Sequence, residues 1–301
     1  MLTRKNLWTG LALGVLGALF FSGKAIIVKL AYRHGADPTT LIALRMMVAL
    51  PFFALAAWYT SRPIPGLESP WRTGDVWRIF VLGLLGYYAA SYLDFLGLQY
   101  ISAGLERVIL YLSPTIVLLL SVIYLRKKIA PIEYIALAVS YSGVVFVFCH
   151  DISVVNDNTA LGSVLVFGAA ACYAVYITAG GEMVKRLGSI RMTSWASLVS
   201  CAACIAQGLI VDPKALLTQQ MPVYGLSLIN GIVCTVLPVF MTMMAIERIG
   251  STTASQTSML GPFATIFFAA WFLQEPITAA QIVGTVAAMV GVLMLGMKRG
   301  G

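Results

Sequence analysis

Five ionisable side chains lie well inside otherwise apolar stretches of this 301-residue sequence: Lys24, Arg45, Asp94, Glu106 and Arg107. A charge in the hydrocarbon core of a membrane is costly, so such groups face partners, a cavity or a substrate pathway. Two interpretations are open. The groups pair with one another at an outer rim, or an unpaired cation binds a substrate carboxylate while an acid binds an ammonium group or carries a proton.

The five groups are not equal candidates, although all of them belong to the first half of the chain. Lys24 and Asp94 are the better candidates for substrate binding or gating. Glu106 and Arg107 open their apolar stretch from its outer end, where water is closest, and we predict that they form outer-rim ion pairs together with Arg45.

Tyrosines and one amide accompany these charges. Tyr88 and Tyr92 share a helix face at spacing i, i+4, and deeper hydroxyl or amide groups need partners. Tyrosine also anchors helices at the membrane interface, and a buried amide often serves packing alone. The candidates for substrate binding or gating are therefore Lys24, Tyr88, Tyr92, Asp94, Tyr111, Tyr173, Tyr176 and Asn230.

Two prolines occupy equivalent mid-helix positions, Pro114 and Pro262. A proline inside a helix frees a carbonyl group and bends the helix. We predict that the pair acts as hinges, with a static bend as the alternative.

Other chemistry is sparse. His34 and His150 fall in loops with no metal-ligand spacing around them, and no glycine-rich loop could grip a nucleotide phosphate. Cys201 and Cys204 share one face of an apolar helix without the context of a redox motif. The sequence predicts no metal and no cofactor.

Composition defines the class of protein that must position these groups. The chain is 59% hydrophobic and only 11% charged, with a mean hydropathy of +0.88. An average soluble domain is about 45–50% apolar and about 25% charged. The sequence therefore predicts an all-α integral membrane protein.

The apolar stretches divide the chain into ten spans of about 20 residues each. Their length and continuity favour helices over barrel strands, which show alternating segments of about 10 residues. The predicted spans are 7–31, 39–60, 76–98, 104–124, 131–149, 160–180, 192–211, 223–246, 252–273 and 279–297.

Basic residues orient these spans. With the N-terminus inside, 14 Lys and Arg residues fall in inner loops or termini and 3 in outer loops, as the positive-inside rule requires. Both termini are therefore expected to be cytoplasmic. The loop at 150–158 lacks Lys and Arg, so it is predicted to be external, with five helices on either side.

The two sets of five helices read as a duplication. "YLRKKIAPIEY" (124–134) and "FLQEPITAAQI" (272–282) correspond at an offset of 148 residues, but only the first is basic. An odd number of helices inserts the second copy upside down, so corresponding loops face opposite sides and carry opposite charge bias. We predict a first repeat at 1–149, an external linker at 150–159 and a second repeat at 160–301.

Residues 96–148 and 244–295 resemble the EamA-like repeat of the drug/metabolite transporter superfamily. The shared pattern is a short polar hinge, a helix with proline near its middle, a Leu-x-Glu corner and a helix that closes on glycine. The second copy has Glu275 at the corner, whereas the first departs from the pattern with Lys127. The "YLSP" run at 111–114 is similar to that of the amino-acid exporters within this superfamily.

The resemblance implies ten transmembrane helices in two inverted five-helix repeats, located in a bacterial inner membrane. It also implies export of small organic metabolites, most of all amino acids, by alternating access around a central cavity. The expected partners are a small-molecule substrate and the lipid bilayer, with possible proton coupling, and the protein would be a monomer or homodimer. The alternatives are efflux of cationic drugs and, further away, a scramblase or a membrane-embedded enzyme.

Overall fold

The computed structural model describes most of the chain as helices. The described residues are 4–61, 73–110, 158–257 and 261–297, together with the short pieces 112–113, 115–117, 119–120, 134–135, 138–139, 141–143 and 145–146. No strand occurs among them. An α-helix satisfies its backbone hydrogen bonds within one segment, which an apolar environment without water demands.

Eleven α-helices and three π-helical turns are described. The helices are α1 (Arg4–Arg33), α2 (Pro38–Thr60), α3 (Thr73–Gly83), α4 (Ala90–Gly97), α5 (Ala103–Leu110), α6 (Thr159–Leu187), α7 (Ser189–Val211), α8 (Met221–Gly231), α9 (Leu237–Thr257), α10 (Gly261–Phe268) and α11 (Ala279–Met297). The turns are π1 (Leu84–Ala89), π2 (Ile232–Val236) and π3 (Ala269–Leu273).

Six helical segments of the described chain are long and apolar enough to cross a membrane. They confirm the predicted class of protein. Two of them are composite, since π1 joins α3 to α4 and π2 joins α8 to α9. The six segments are Leu7–Arg33, Pro38–Thr60, Gly74–Gly97, Thr159–Val184, Ser189–Val211 and Met221–Ile249.

The π-helical turns reveal the duplication in the backbone itself. π1 begins at Leu84 and π2 at Ile232, a separation of 148 residues, which is the offset that relates the two halves of the sequence. A π-helical turn is rare and frequently marks a functional site. Its occurrence at equivalent positions in both halves shows that they share one helical scaffold.

The helices of one half pack against those of the other in reciprocal antiparallel pairs. In the first pair, α1 runs along α8 and α9. A Cβ atom placed on Gly10 would meet the side chain of Ile249, and one on Gly23 would lie 3.3 Å from Cys234 Sγ. The residue number rises on one helix as it falls on the other, so the helices run in opposite directions.

The reciprocal pair joins the span α3–π1–α4 to α6. A Cβ atom on Gly97 would lie 2.6 Å from Val166, and one on Gly86 would lie 2.4 Å from the Tyr176 ring. Gly86 and Cys234 are themselves 148 residues apart. Each π-helical turn therefore contacts the first helix of the opposite half through the same position.

The helices α2 and α7 form the third pair and have 23 residues each. Met46 Sδ and Cys201 Sγ lie 3.8 Å apart in the middle of this pair, and the Arg191 side chain donates to the Thr60 carbonyl at its end. Three pairs arranged in this way are related by a pseudo-two-fold axis, as expected for inverted repeats.

Candidate functional site

Four consecutive residues of α1, Phe21–Lys24, contact four different elements. Successive helix residues point about 100° apart, so these contacts surround α1 on all sides. Both halves of the molecule take part. In order, the contacts are Phe21 O to Arg107 Nη2 of α5 at 2.6 Å, Ser22 Oγ to Gly261 O of α10 at 2.9 Å, Gly23 against Cys234 of π2, and Lys24 Nζ to Asp94 Oδ2 of α4 at 2.5 Å.

Four of the five charged candidates meet in one buried cluster. Lys24 Nζ lies 2.5 Å from Asp94 Oδ2 and 3.4 Å from Glu106 Oε1. Glu106 Oε2 lies 3.3 Å from Arg107 Nε. The charges of two cations and two anions therefore balance. In space, Lys24 lies between the carboxylates of Asp94 and Glu106, and Glu106 also contacts Arg107. We refer to these four residues as the ion cluster.

Burial distinguishes the ion cluster from the outer rim that the sequence predicts. Glu106 is completely inaccessible and Arg107 is 7% exposed, so neither side chain reaches solvent. The ion pair between them is found, but its place is the interior. The physical reason is that α5 packs against α6, α10 and α11, and Gln281 of α11 lies against Gly104 at the start of this helix.

Arg45 stands apart from the ion cluster. Among the ion pairs formed between described residues, none includes Arg45, so the predicted ion pair of Arg45 is not found there. Its guanidinium carbon lies 4.7 Å from the centre of the Phe95 ring, and the residue is 3% exposed. The α2 helix packs mainly on α7, and between Met192 and Val211 that helix offers no carboxylate.

The tyrosine candidates separate into two groups. Tyr176 is fully buried, with its ring centroid 5.0 Å from that of Tyr87 and 6.2 Å from that of Tyr173. Tyr88, Tyr92 and Tyr173 are only partly buried against the core. Tyr176 therefore packs the π1–α6 contact, whereas the other three side chains are each partly exposed.

The remaining predicted positions have different outcomes. Asn230 is completely buried, and both polar atoms of its side chain lack a hydrogen-bond partner among the described residues. Pro262 is the second residue of the described helix α10, and its hinge role stays a prediction. Tyr111 and Pro114 lie outside the described residues.

Cys234 and Phe21 belong to the site although the sequence pattern did not indicate them. The Cys234 thiol lies on π2, 2% exposed, within electrostatic reach of Lys24, Arg45 and Arg107. The Phe21 ring centre lies 4.9 Å from Lys24 Nζ and 5.2 Å from the Arg107 guanidinium carbon. For Cys234, the one signal available in the sequence was the 148-residue offset, which makes it the counterpart of Gly86.

Polar contacts also bridge the two halves at both ends of the bundle. At the Arg33 end, Arg33 donates to the Leu273 carbonyl and Lys29 Nζ lies 3.9 Å from Glu275 Oε1. At the opposite end, which we call the Arg191 end, Arg191 Nε donates to the Thr60 carbonyl at 2.7 Å. Polar contacts therefore join the two halves at each end of the bundle.

A cross-half ion pair at the Arg191 end joins Arg186 of α6 to Asp75 of α3. Ser189 Oγ and Glu247 Oε2 are hydrogen-bonded at 2.5 Å nearby. The described ranges contain no group of three or more His, Cys, Asp or Glu side chains placed to hold a metal ion. The chemistry of the site is thus that of ion pairs, hydroxyl groups and aromatic faces.

A membrane-spanning bundle of two inverted halves, with buried charges where the halves meet, has the architecture of a secondary transporter. The comparison with known families agrees. The chain belongs to the EamA-like transporter family, which it matches over residues 8–149 and 160–297. This membership confirms the fold of ten transmembrane helices in two repeats.

Individual relatives are transporters as well. The chain is 28% identical to the uncharacterized transporter YcbK of Bacillus subtilis, over 90% of this chain and 87% of that one. It is 25% identical to the threonine/homoserine exporter RhtA of Salmonella typhimurium, over 65% and 63% of the two chains. A chain of known crystal structure shares the fold at a TM-score of 0.69 and 14% identity, covering 97% of both chains.

Proposed function

We propose that this transporter exports small organic metabolites, amino acids first among them, from the bacterial cytoplasm across the inner membrane. The observation that supports the proposal best is the ion cluster around α1, at the place where α1 also contacts π2 and α10 of the opposite half. Intramembrane charges at a repeat interface are typical of substrate and ion pathways.

Alternating access fits the contacts at the two ends of the bundle. In the orientation that the basic loops favour, the Arg33 end is external and the Arg191 end is cytoplasmic. Rocking of the halves would break the Lys29–Glu275 and Arg33–Leu273 contacts in one state, and the Arg186–Asp75 and Arg191–Thr60 contacts in the other. Each end therefore has cross-half contacts that one state could keep and the other break, as an equilibrium between two states requires.

An amino acid presents both charge signs, and so does the proposed binding region. Lys24 and Asp94 supply one charge of each sign, and the partly buried Tyr88, Tyr92 and Tyr173 supply hydroxyl groups beside apolar walls. Such a combination suits a small amphiphilic solute. The similarity to RhtA, an exporter of threonine and homoserine by name, supports the same class of cargo.

Cationic drug efflux is the weaker alternative because its carrier needs an acid without a partner. Asp94, the best candidate for that role, is bound to Lys24 at 2.5 Å, and Arg45 leaves the buried region with an excess of positive charge. A scramblase or an embedded enzyme has no support in the relatives, which are transporters.

The direct test is transport by the purified protein in liposomes loaded with each of the twenty labelled amino acids. We expect efflux of a subset of the amino acids well above that from loaded liposomes without the protein. An imposed pH gradient will show whether transport is coupled to protons. Amine drugs such as ethidium serve as the competing cargo. Efflux of ethidium without efflux of any amino acid would contradict the proposal.

A further inference from the structure

Three buried arginines of this chain differ in what occupies one edge of the guanidinium group. The Nε and Nη2 atoms point along the same edge and form a fork of two parallel donors. In Arg191 both atoms donate to the Thr60 carbonyl. In Arg107, Nη2 donates to the Phe21 carbonyl and Nε faces Glu106.

Arg45 is the exception among these three. Its Nε and Nη2 are buried and have no hydrogen-bond partner among the described residues. The flat face of the group is covered by Phe95, at 4.7 Å. The fork donors are therefore the unsatisfied part of this guanidinium, and a buried charge with unsatisfied donors is costly unless something binds there.

The surroundings of Arg45 are polar and hold one carboxylate, which belongs to the ion cluster. Cys201 and Cys204 of α7, Cys234 of π2 and Asp94 lie within electrostatic reach of the guanidinium, but Asp94 is paired with Lys24 and forms no ion pair with Arg45. Gly231 packs against the Arg45 backbone carbonyl, which brings α8 close to α2. Asn230 lies one turn before Cys234 on that span, completely buried and without partners for its amide among the described residues.

We infer that the Arg45 fork is the anion-binding subsite of the transport pathway and takes the carboxylate of the cargo. A carboxylate matches the fork with two parallel hydrogen bonds, and the amide of Asn230 can bind a neighbouring polar group of the same molecule. This inference rests on the proposed function, which it sharpens: the cargo is a carboxylic acid or amino acid, not an amine.

The same geometry explains why Lys24 is the poorer carboxylate site. Its ammonium group already contacts both Asp94 and Glu106, so an incoming carboxylate would have to displace one of them. Arg45 has no such competitor among the described ion pairs. Arg45 forms no ion pair among the described residues, so its fork can accept a carboxylate from the cargo without displacing one.

The test measures thermal stabilisation of the purified protein in detergent. The probes are formate, acetate and the twenty amino acids, each compared with the matching primary amide and with sodium chloride at equal ionic strength. We expect at least one carboxylate to raise the melting temperature of the wild-type protein, and its amide and chloride to leave it unchanged.

The variants Arg45→Gln, Arg45→Lys and Arg248→Gln identify the group responsible. Arg45→Gln should weaken binding of the stabilising carboxylate by roughly 30-fold or more, the effect of truncating one partner of a buried charge pair. Arg45→Lys should retain part of the carboxylate binding, because lysine supplies a point charge but no fork of parallel donors. Arg248, which donates to the Met244 carbonyl of its own helix, is the matched control and should bind as the wild type does.

The stability of the ligand-free protein separates binding from a structural role. Loss of an unpartnered buried charge should leave the melting temperature of Arg45→Gln unchanged or higher. A marked decrease in that temperature would assign Arg45 to the packing and overturn the inference. Equal stabilisation by chloride, equal stabilisation by amides, or no stabilisation by any carboxylate would overturn it as well.

The two proposals fail in different ways. If amino acids are exported and Arg45→Gln does not discriminate against carboxylates, the Arg45 subsite is wrong and the proposed function stands. If carboxylates bind through Arg45 but no amino acid is exported, the subsite stands and the proposed cargo is wrong.

Discussion

The two halves of the protein share a scaffold but not a chemistry. Their π-helical turns occur at equivalent positions, and α2 and α7 have the same length. Yet the five predicted spans of the second half contain no Asp, Glu, Lys or Arg. At the 148-residue offset, Asp94, Glu106 and Arg107 correspond to Thr242, Ala254 and Ser255, and Arg45 corresponds to Thr193.

The difference indicates how a duplicated carrier can divide its tasks. The shared scaffold supplies a pseudo-two-fold axis, on which rocking motion depends. The charges of a substrate site need to occur only once, because a cargo bound where the halves meet touches both of them. Thr242, for instance, places its hydroxyl group against Gly17 of α1, where it serves close packing.

The largest effect is expected from Lys24→Gln, which breaks the ion cluster of the first half. Asp94 would lose its ion-pair partner and Glu106 would keep only Arg107, and removal of one partner from a buried ion pair costs about 3–5 kcal/mol. We expect export to be lost and the melting temperature to fall sharply in a thermal unfolding assay.

The double variant Lys24→Gln/Asp94→Asn is the control for that prediction. It removes one charge of each sign, so it should recover most of the stability but not the export. If Lys24→Gln alone were as stable as the wild type, the ion cluster would have little role in the fold.

An intermediate effect is expected when the two π-helical turns are made alike. Gly86→Cys gives π1 the residue that π2 has, but a Cβ atom there would lie 2.4 Å from the Tyr176 ring. Overpacking of this kind costs about 1–3 kcal/mol. Cys234→Ala, the matched change in π2, removes one buried sulfur atom and should cost less than about 1 kcal/mol. Equal unfolding temperatures for the two variants would show that both π-helical turns tolerate a change of side-chain size equally well.

The smallest effect is expected at Thr242, the second-half counterpart of Asp94. Interhelical hydrogen bonds of hydroxyl groups in membrane bundles average about 0.6 kcal/mol. Thr242→Val should therefore export at a rate within about twofold of the wild type, whereas Asp94→Asn should not. An efflux rate for Thr242→Val as low as that of Asp94→Asn would mean that both halves contribute chemistry at this level of the bundle.

Much of the architecture follows from sequence patterns, because the membrane restricts the chain to long apolar helices. That Lys24, Asp94, Glu106 and Arg107 need partners was also predictable, since charges in apolar spans are rare and costly. The burial of Glu106 and Arg107 was not, because the sequence places them at an outer rim, and neither was the choice of partners. Lys24 and Asp94 are 70 residues apart, and which cation meets which acid depends on how three helices cross.

Arg45 and the π-helical turns show the other limit of sequence reasoning. Arg45 looked like a member of the ion pairs because it shares their apolar context, but its helix packs on α7, which has no acid to offer in the paired region. The turns "LLGYYA" and "IVCTV" have ordinary helical compositions. Tyr176 was a candidate for substrate binding or gating; its ring lies against Gly86, and its role stays a prediction.

The relative motion of the two halves is measured most directly by distances between spin labels at both ends of the bundle in lipid. Suitable pairs are His34 with Gln220 at the Arg33 end and Val76 with Ile190 at the Arg191 end, since all four side chains are exposed. Under transport conditions, one distance should lengthen as the other shortens. Distances that stay fixed, or that change together, while cargo crosses the membrane would contradict alternating access by two opposed halves.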